Sequence, residues 1–117
     1  MRIDDATVLD ILNAARLAIR FAEGIDKSQF LDDEKTQSAV IHQLLILGEA
    51  AKRLSAEFRS AHPQLPWKMI AGMRDKLVHE YDDVDLDEVW QTLTGDVPRV
   101  IAALASMEPR RKDGGLT

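Results

Sequence analysis

The chain has 117 residues, of which 45% are hydrophobic and 30% charged, with a net charge of −5 and no cysteine. That length holds one domain with a modest core and not two, and the missing cysteines exclude disulfides and thiolate metal sites. The acidic balance excludes a whole-molecule basic field for gripping nucleic acid, so any such contact needs a local basic site. No apolar run nears the roughly 20 residues of a membrane span. The opening MRIDDATVLD lacks the basic-then-apolar order of a secretion signal, so a cytoplasmic location is expected. Aromatics make up only 5%, and the dominance of Ala, Leu, Ile and charged residues favours helices.

A first helix is predicted from about Asp5 to Glu23, because Val8, Ile11, Leu12, Ala15, Ile19 and Ala22 fall at three- and four-residue steps. Asp4 and Asp5 suit the positive end of its dipole, and Gly24 is a natural stop. Residues Ile25 to Phe30 read as a short connection. A long second helix is predicted from Asp32 or Asp33 to about Ser60. Val40, Leu44, Leu47, Ala51, Leu54 and Phe58 form its seam, and Ile41, Leu45, Ile46 and Gly48 widen the apolar surface. A helix apolar on two sides needs two partners, supplied either by the rest of the bundle or by a second subunit. His42 within it reads as a partly buried polar residue at a groove or interface, and Glu49 as an ordinary i,i+4 partner of Arg53.

His62-Pro63-Gln64-Leu65-Pro66 breaks the pattern, and Pro66 fits the first turn of a third helix running from Trp67 to about Tyr81. Asp82 to Val84 form a turn. Asp85 and Glu88 make a D-x-x-E cap for a fourth helix reaching about Met107, kinked or split by Gly95 and Pro98. The result is an all-α, up-and-down bundle of four or five helices over residues 1–107, followed by a flexible tail over 108–117. Asp83, Asp85 and Asp87 imitate the start of a calcium loop, but Glu88 stands where the loop needs glycine, so they read as turn and cap acids.

The third helix carries Arg74-Asp75-Lys76-Leu77-Val78-His79-Glu80-Tyr81. An arginine, an imidazole and a phenol within two helical turns can bind a phosphate, move a proton and offer a hydroxyl. At about 100° per residue, Ile70, Met73 and Leu77 share one arc with Pro66. Arg74 lies only about 40° from Ile70, with Tyr81 almost directly below it, while His79 points about 140° away from Arg74. The residues alone leave two readings open. Arg74 can snorkel from the core edge beside a solvated His79 and a packed Tyr81; or two copies of the helix can meet across a two-fold axis, bringing arginines and histidines into one cleft.

The string RDKLVHEY resembles the R-x4-H-x-Y signature of HepT-like toxins, members of the HEPN superfamily of α-helical ribonuclease domains. The resemblance extends to Leu47-Gly48-Glu49-Ala50-Ala51-Lys52-Arg53-Leu54, to the His62-Pro63…Pro66-Trp67 approach, and to Val84–Trp90 followed by Asp96-Val97-Pro98. It covers about Ile3 to Leu104. What it implies is a HEPN-like, dimeric helical bundle that cuts RNA without a metal or other cofactor, the motif lining a groove shared by a homodimer. Arg74 would hold the scissile phosphate and His79 would move the proton. Asp75 would support one of those side chains, or be an exposed acid only. Tyr81 would be the hydroxyl to which a partner antitoxin, an MntA-type nucleotidyltransferase, transfers AMP groups. The resemblance gives Glu49 a possible supporting role behind these residues. It also admits a non-catalytic nucleotide- or substrate-binding partner of a nucleotidyltransferase. Arg110-Arg111-Lys112 read as a disordered basic tail that can attract RNA.

Overall fold

A computed structural model describes residues 3–80 and 82–108. The predicted tail beyond Glu108 and Tyr81 lie outside the described residues. Helix α1 spans Ile3–Phe21, α2 Lys27–Leu31, α3 Glu34–Arg53, α4 Ala56–Ala61, α5 Trp67–His79, α6 Leu86–Gln91 and α7 Val97–Leu104. A π-helical turn, Thr92–Asp96, joins α6 to α7, and a 3-10 turn, Ala105–Met107, closes the last helix. Among the described residues there is no strand, and no helix is long and apolar enough to cross a membrane.

Four long helical segments form the bundle, and the apolar stripes explain its layout. Val8, Ile11, Leu12 and Ala15 are buried on α1 against Val40, Leu44, Leu47 and Ala51 of α3. Helix α5 covers the other flank of α3 through Ile70 and Leu77. The doubly apolar helix therefore has a partner on each of these flanks within the bundle, while its Ile46 stays 38% exposed. Val97, Val100 and Leu104 bring α7 onto α1 and close the core.

Two local features depart from the expectations, and a third meets its expectation in a specific form. The connection after Gly24, which has φ of 83°, contains a helical turn of its own. Asp26 accepts from the Gln29 backbone while the Gln29 side chain accepts from Asp26, a capping box that starts α2. The second helix stops at Arg53 rather than Ser60. Ser55 begins a new helix by accepting from the Phe58 N–H (3.0 Å), and its own hydroxyl and N–H donate to Asp4 at the foot of α1. The predicted kink near Gly95 and Pro98 takes the form of the π turn, in which the Val97 N–H reaches back to the Thr92 carbonyl. One extra residue in the turn relieves the crowding that the Pro98 ring would cause in a regular helix.

Several polar side chains take specific places at the surface and between helices. His42 is exposed on α3, and its neighbour Gln43 is the buried polar residue instead. Asp85 caps α6 and Asp87 pairs with Lys27 at 2.8 Å, which ties α2 to α6. Glu108, predicted to begin the tail, pairs with Arg16 at 3.1 Å.

Candidate active site

The segment before α5 is fixed by its own aromatic residues. The Trp67 indole N–H donates to the His62 carbonyl (2.9 Å), and the His62 ring stacks on Phe58 with Nδ1 against the Phe58 carbonyl. Leu65 is buried beneath them. His62 is thus occupied in building the turn, and α5 leaves it in a fixed direction.

From there the helix sets its face against α3. Gly48 of α3 meets Arg74 of α5: a Cβ at Gly48 would overlap the Cβ of Arg74 and lie 3.3 Å from the Ile70 carbonyl oxygen. The two backbones approach here because one of them has no side chain. Arg74 emerges at the rim of this contact, its side chain 28% exposed, in the edge position that the helix projection predicts.

The guanidinium is held by two carboxylates. One terminal nitrogen lies 2.7 Å from Glu49 and the other donates to Asp75 at 3.1 Å. The same Asp75 oxygen accepts from Lys52 at 2.9 Å. Glu49, Arg74, Asp75 and Lys52 therefore alternate in sign across the α3–α5 seam. The expected Glu49–Arg53 pair does not form: Glu49 turns to Arg74, and Arg53 reaches Asp10 on α1 at 3.3 Å. The Asp75 hydrogen bond, ahead of the Glu49 charge, raises the Arg74 pKa above its ordinary value.

His79 ends α5 and stands apart from that network. It is exposed, has no hydrogen-bond or ion-pair partner among the described residues, and lines an open groove with Lys76, Glu80, Asp82, Asp83 and Asp85. Lys76 is itself tied to Glu88 at 2.7 Å. The carboxylates around His79 oppose an anion, whereas on the Arg74 side Glu49 and Asp75 are matched by Arg74 and Lys52. Arg74 and His79 therefore face different surroundings in the described structure.

A family model described as "Ribonuclease HepT-like" matches residues 2–107. The chain belongs to the HepT-like ribonuclease family. It is 45% identical over 89 residues to the "Probable ribonuclease HepT" of Thermococcus cleftensis, covering 76% of this chain and 81% of that one. A protein of Methanocaldococcus jannaschii named "Putative RNase MJ0127" is 40% identical over 96 residues, 82% of this chain and 79% of its own. A "Putative RNase" of Caldanaerobacter subterraneus is 41% identical over 90 residues, 77% and 80% of the two chains. No solved structure matches.

For this HepT-like chain, two residues matter whose roles a helix-by-helix reading does not find. Gly48 sets the distance between α3 and α5, and Lys52 holds Asp75. In an isolated helix Gly→Ala gains up to about 1 kcal/mol. Here Gly48→Ala is expected to reverse that sign and destabilise by roughly 1–3 kcal/mol, because Arg74 cannot retreat without moving the backbone. A thermal midpoint at or above that of the parent would contradict the contact.

The network also makes a pH prediction. Lys52 first, and Arg74 after it, hold the Asp75 carboxyl below the usual carboxylate range through hydrogen bonds. A folded pKa below the unfolded value, near 3.9, adds stability above that value, and the gain disappears as pH falls through the folded pKa. Asp33, lowered chiefly by the Thr36 hydroxyl, acts in the same direction. Asp75→Asn is therefore expected to lose less stability than the parent between pH 6 and pH 3 in denaturant titrations. Equal losses would show that Asp75 has no part in the acid limb.

Proposed function

We propose that this protein is a metal-independent endoribonuclease that acts as the toxin of a HepT/MntA-type pair. The observation that carries this reading is the Arg74 guanidinium fixed at the edge of a packed helix, five residues before a His79 that has no partner among the described residues, in a HepT-like ribonuclease chain. Arg74 binds the scissile phosphate and stabilises the negative charge that grows on it. His79 accepts the proton of the attacking ribose 2′-hydroxyl or delivers one to the leaving 5′-oxygen. The new 2′-oxygen–phosphorus bond forms as the phosphorus–5′-oxygen bond breaks, leaving a 2′,3′-cyclic phosphate and a 5′-hydroxyl. Asp75 positions Arg74.

The working unit in this reading is a cytoplasmic homodimer. His79 sits among carboxylates and away from Arg74, so a second α5 brought across a two-fold axis supplies the missing cation. The exposed Val78, four residues from Arg74 and adjacent to His79, offers apolar surface for such a copy. Regulation falls to Tyr81. An MntA-type nucleotidyltransferase joins the α-phosphate of ATP to its phenolic oxygen, releasing pyrophosphate, and the added charge occupies the anion site and repels RNA.

A second reading, a non-catalytic nucleotide- or substrate-binding partner of a nucleotidyltransferase, draws on the net charge of −5 and the acids around His79. Expression in cells separates the two. The proposal expects growth arrest by this chain alone, rescue by the co-expressed nucleotidyltransferase, and continued arrest by Tyr81→Phe despite that partner. A chain harmless on its own sinks the toxin reading, and rescue of Tyr81→Phe sinks the role of the tyrosine.

A further inference from the structure

An acidic enzyme that handles RNA needs one local basic surface, and α4 with the first turns of α5 builds it. These helices enclose an open groove of about 630 Å³ lined by Arg59, Ser60, Trp67, Lys68, Gly72 and Asp75. That volume lies in the range of ordinary ligand sites. The α4–α5 angle is fixed by the His62, Phe58 and Trp67 contacts described above, so the groove is preformed.

Its charge differs from that of the molecule as a whole. Arg59 and Lys68 have no ion-pair or side-chain hydrogen-bond partner among the described residues, and the Arg59 Nε is buried without any acceptor. Among the described residues the only carboxylate lining the groove is Asp75, and it is already engaged by Lys52 and Arg74. Two free cations thus stand over a neutralised acid, in a chain of net charge −5. Half-buried Trp67 borders them, and a cationic groove beside an aromatic ring is the pairing that single-stranded nucleic acid uses. A methyl group at Gly72 would meet nothing within 4 Å, so the groove is open on that side.

We infer that the α4–α5 groove is a binding track for single-stranded RNA. Arg59 and Lys68 take backbone phosphates, and the strand passes Asp75 to reach Arg74. The inference rests on the RNA-cleaving reading and names where the substrate lies before and after the cut.

The test uses the full chain with His79→Ala, so that bound RNA survives, and a fluorescent single-stranded RNA oligonucleotide titrated at several salt concentrations. Lys68→Glu, at an exposed position, is expected to weaken binding about tenfold, and Arg59→Gln with Lys68→Gln by more. For the pair, the slope of log affinity against log salt should fall by about 1.4, or about 0.7 per lost phosphate contact. In the cleaving chain the same substitutions should raise KM and leave kcat within about twofold. If the parent cleaves RNA but Lys68→Glu and the double variant, both folded, bind with unchanged affinity and salt slope, the track is wrong. Absence of cleavage by the parent would instead sink the enzymatic reading on which the track rests.

Discussion

Replacing His79 or Arg74 by alanine is expected to lower RNA cleavage by at least about a hundredfold while leaving the helical circular-dichroism signal intact. General acid–base groups contribute typically about 10²–10⁴ in rate, and fixed donors to a developing anion about 10²–10³. Neither change should unfold the protein. His79 is exposed, with no partner to lose among the described residues. Removing Arg74 leaves Asp75 on Lys52 and leaves Glu49, whose side chain is 51% exposed, free to be solvated by water. Arg74→Lys is informative beside Arg74→Ala. It keeps the charge but loses the planar fork that spans Glu49, Asp75 and a phosphate. Most of the activity should remain lost in the lysine variant. A folded His79→Ala or Arg74→Ala protein that cuts RNA like the parent would remove that residue from the mechanism.

The largest effect on the fold is expected at Phe30. It is wholly buried, its ring lies 5.2 Å from that of Trp90, and it anchors a helix of five residues. Helix α2 has no stability of its own at that length. It persists because Phe30 fills the space between α3 and α6 and because the Gln37 side chain donates to the Phe30 and Leu31 carbonyls. Phe30→Ala should cost roughly 3–5 kcal/mol, a large share of the 5–15 kcal/mol that holds a typical domain together. Urea titration of parent and variant reads the difference directly. A loss under about 1 kcal/mol would mean that the core closes over the gap.

The stripes on α1 and α3 were legible in the sequence because burial against one neighbour imposes a 3.6-residue period on the chain. Projection of α5 likewise located Arg74 at the edge of its packing face. What remained hidden has physical causes. The break at Leu54 and Ser55 falls inside a continuous apolar register, Leu47, Ala51, Leu54 and Phe58, which a helix–turn–helix preserves as well as a single helix does. Asp4, fifty-one residues away, helps make that break, and no local pattern announces it. The D-x-x-Q cap of α2 was readable at Asp26 and Gln29, but its brevity made it look like a loop. Glu49 pairs across helices with Arg74 in preference to its own-helix neighbour Arg53, a choice fixed by how closely Gly48 lets α5 approach. The Arg59–Lys68 groove depends on the angle between α4 and α5, which cannot exist if the second helix is read as running straight to Ser60.

In the proposed reaction side chains alone, with Arg74 on the phosphate and His79 on the proton, drive attack of a 2′-hydroxyl on RNA. The most direct measurement is analysis of the RNA ends produced by the purified chain in excess EDTA. The expected products carry 5′-hydroxyl and 2′,3′-cyclic phosphate ends, and His79→Ala yields neither above background. Cleavage that stops with EDTA, or ends bearing 5′-phosphate and 3′-hydroxyl, would contradict the account.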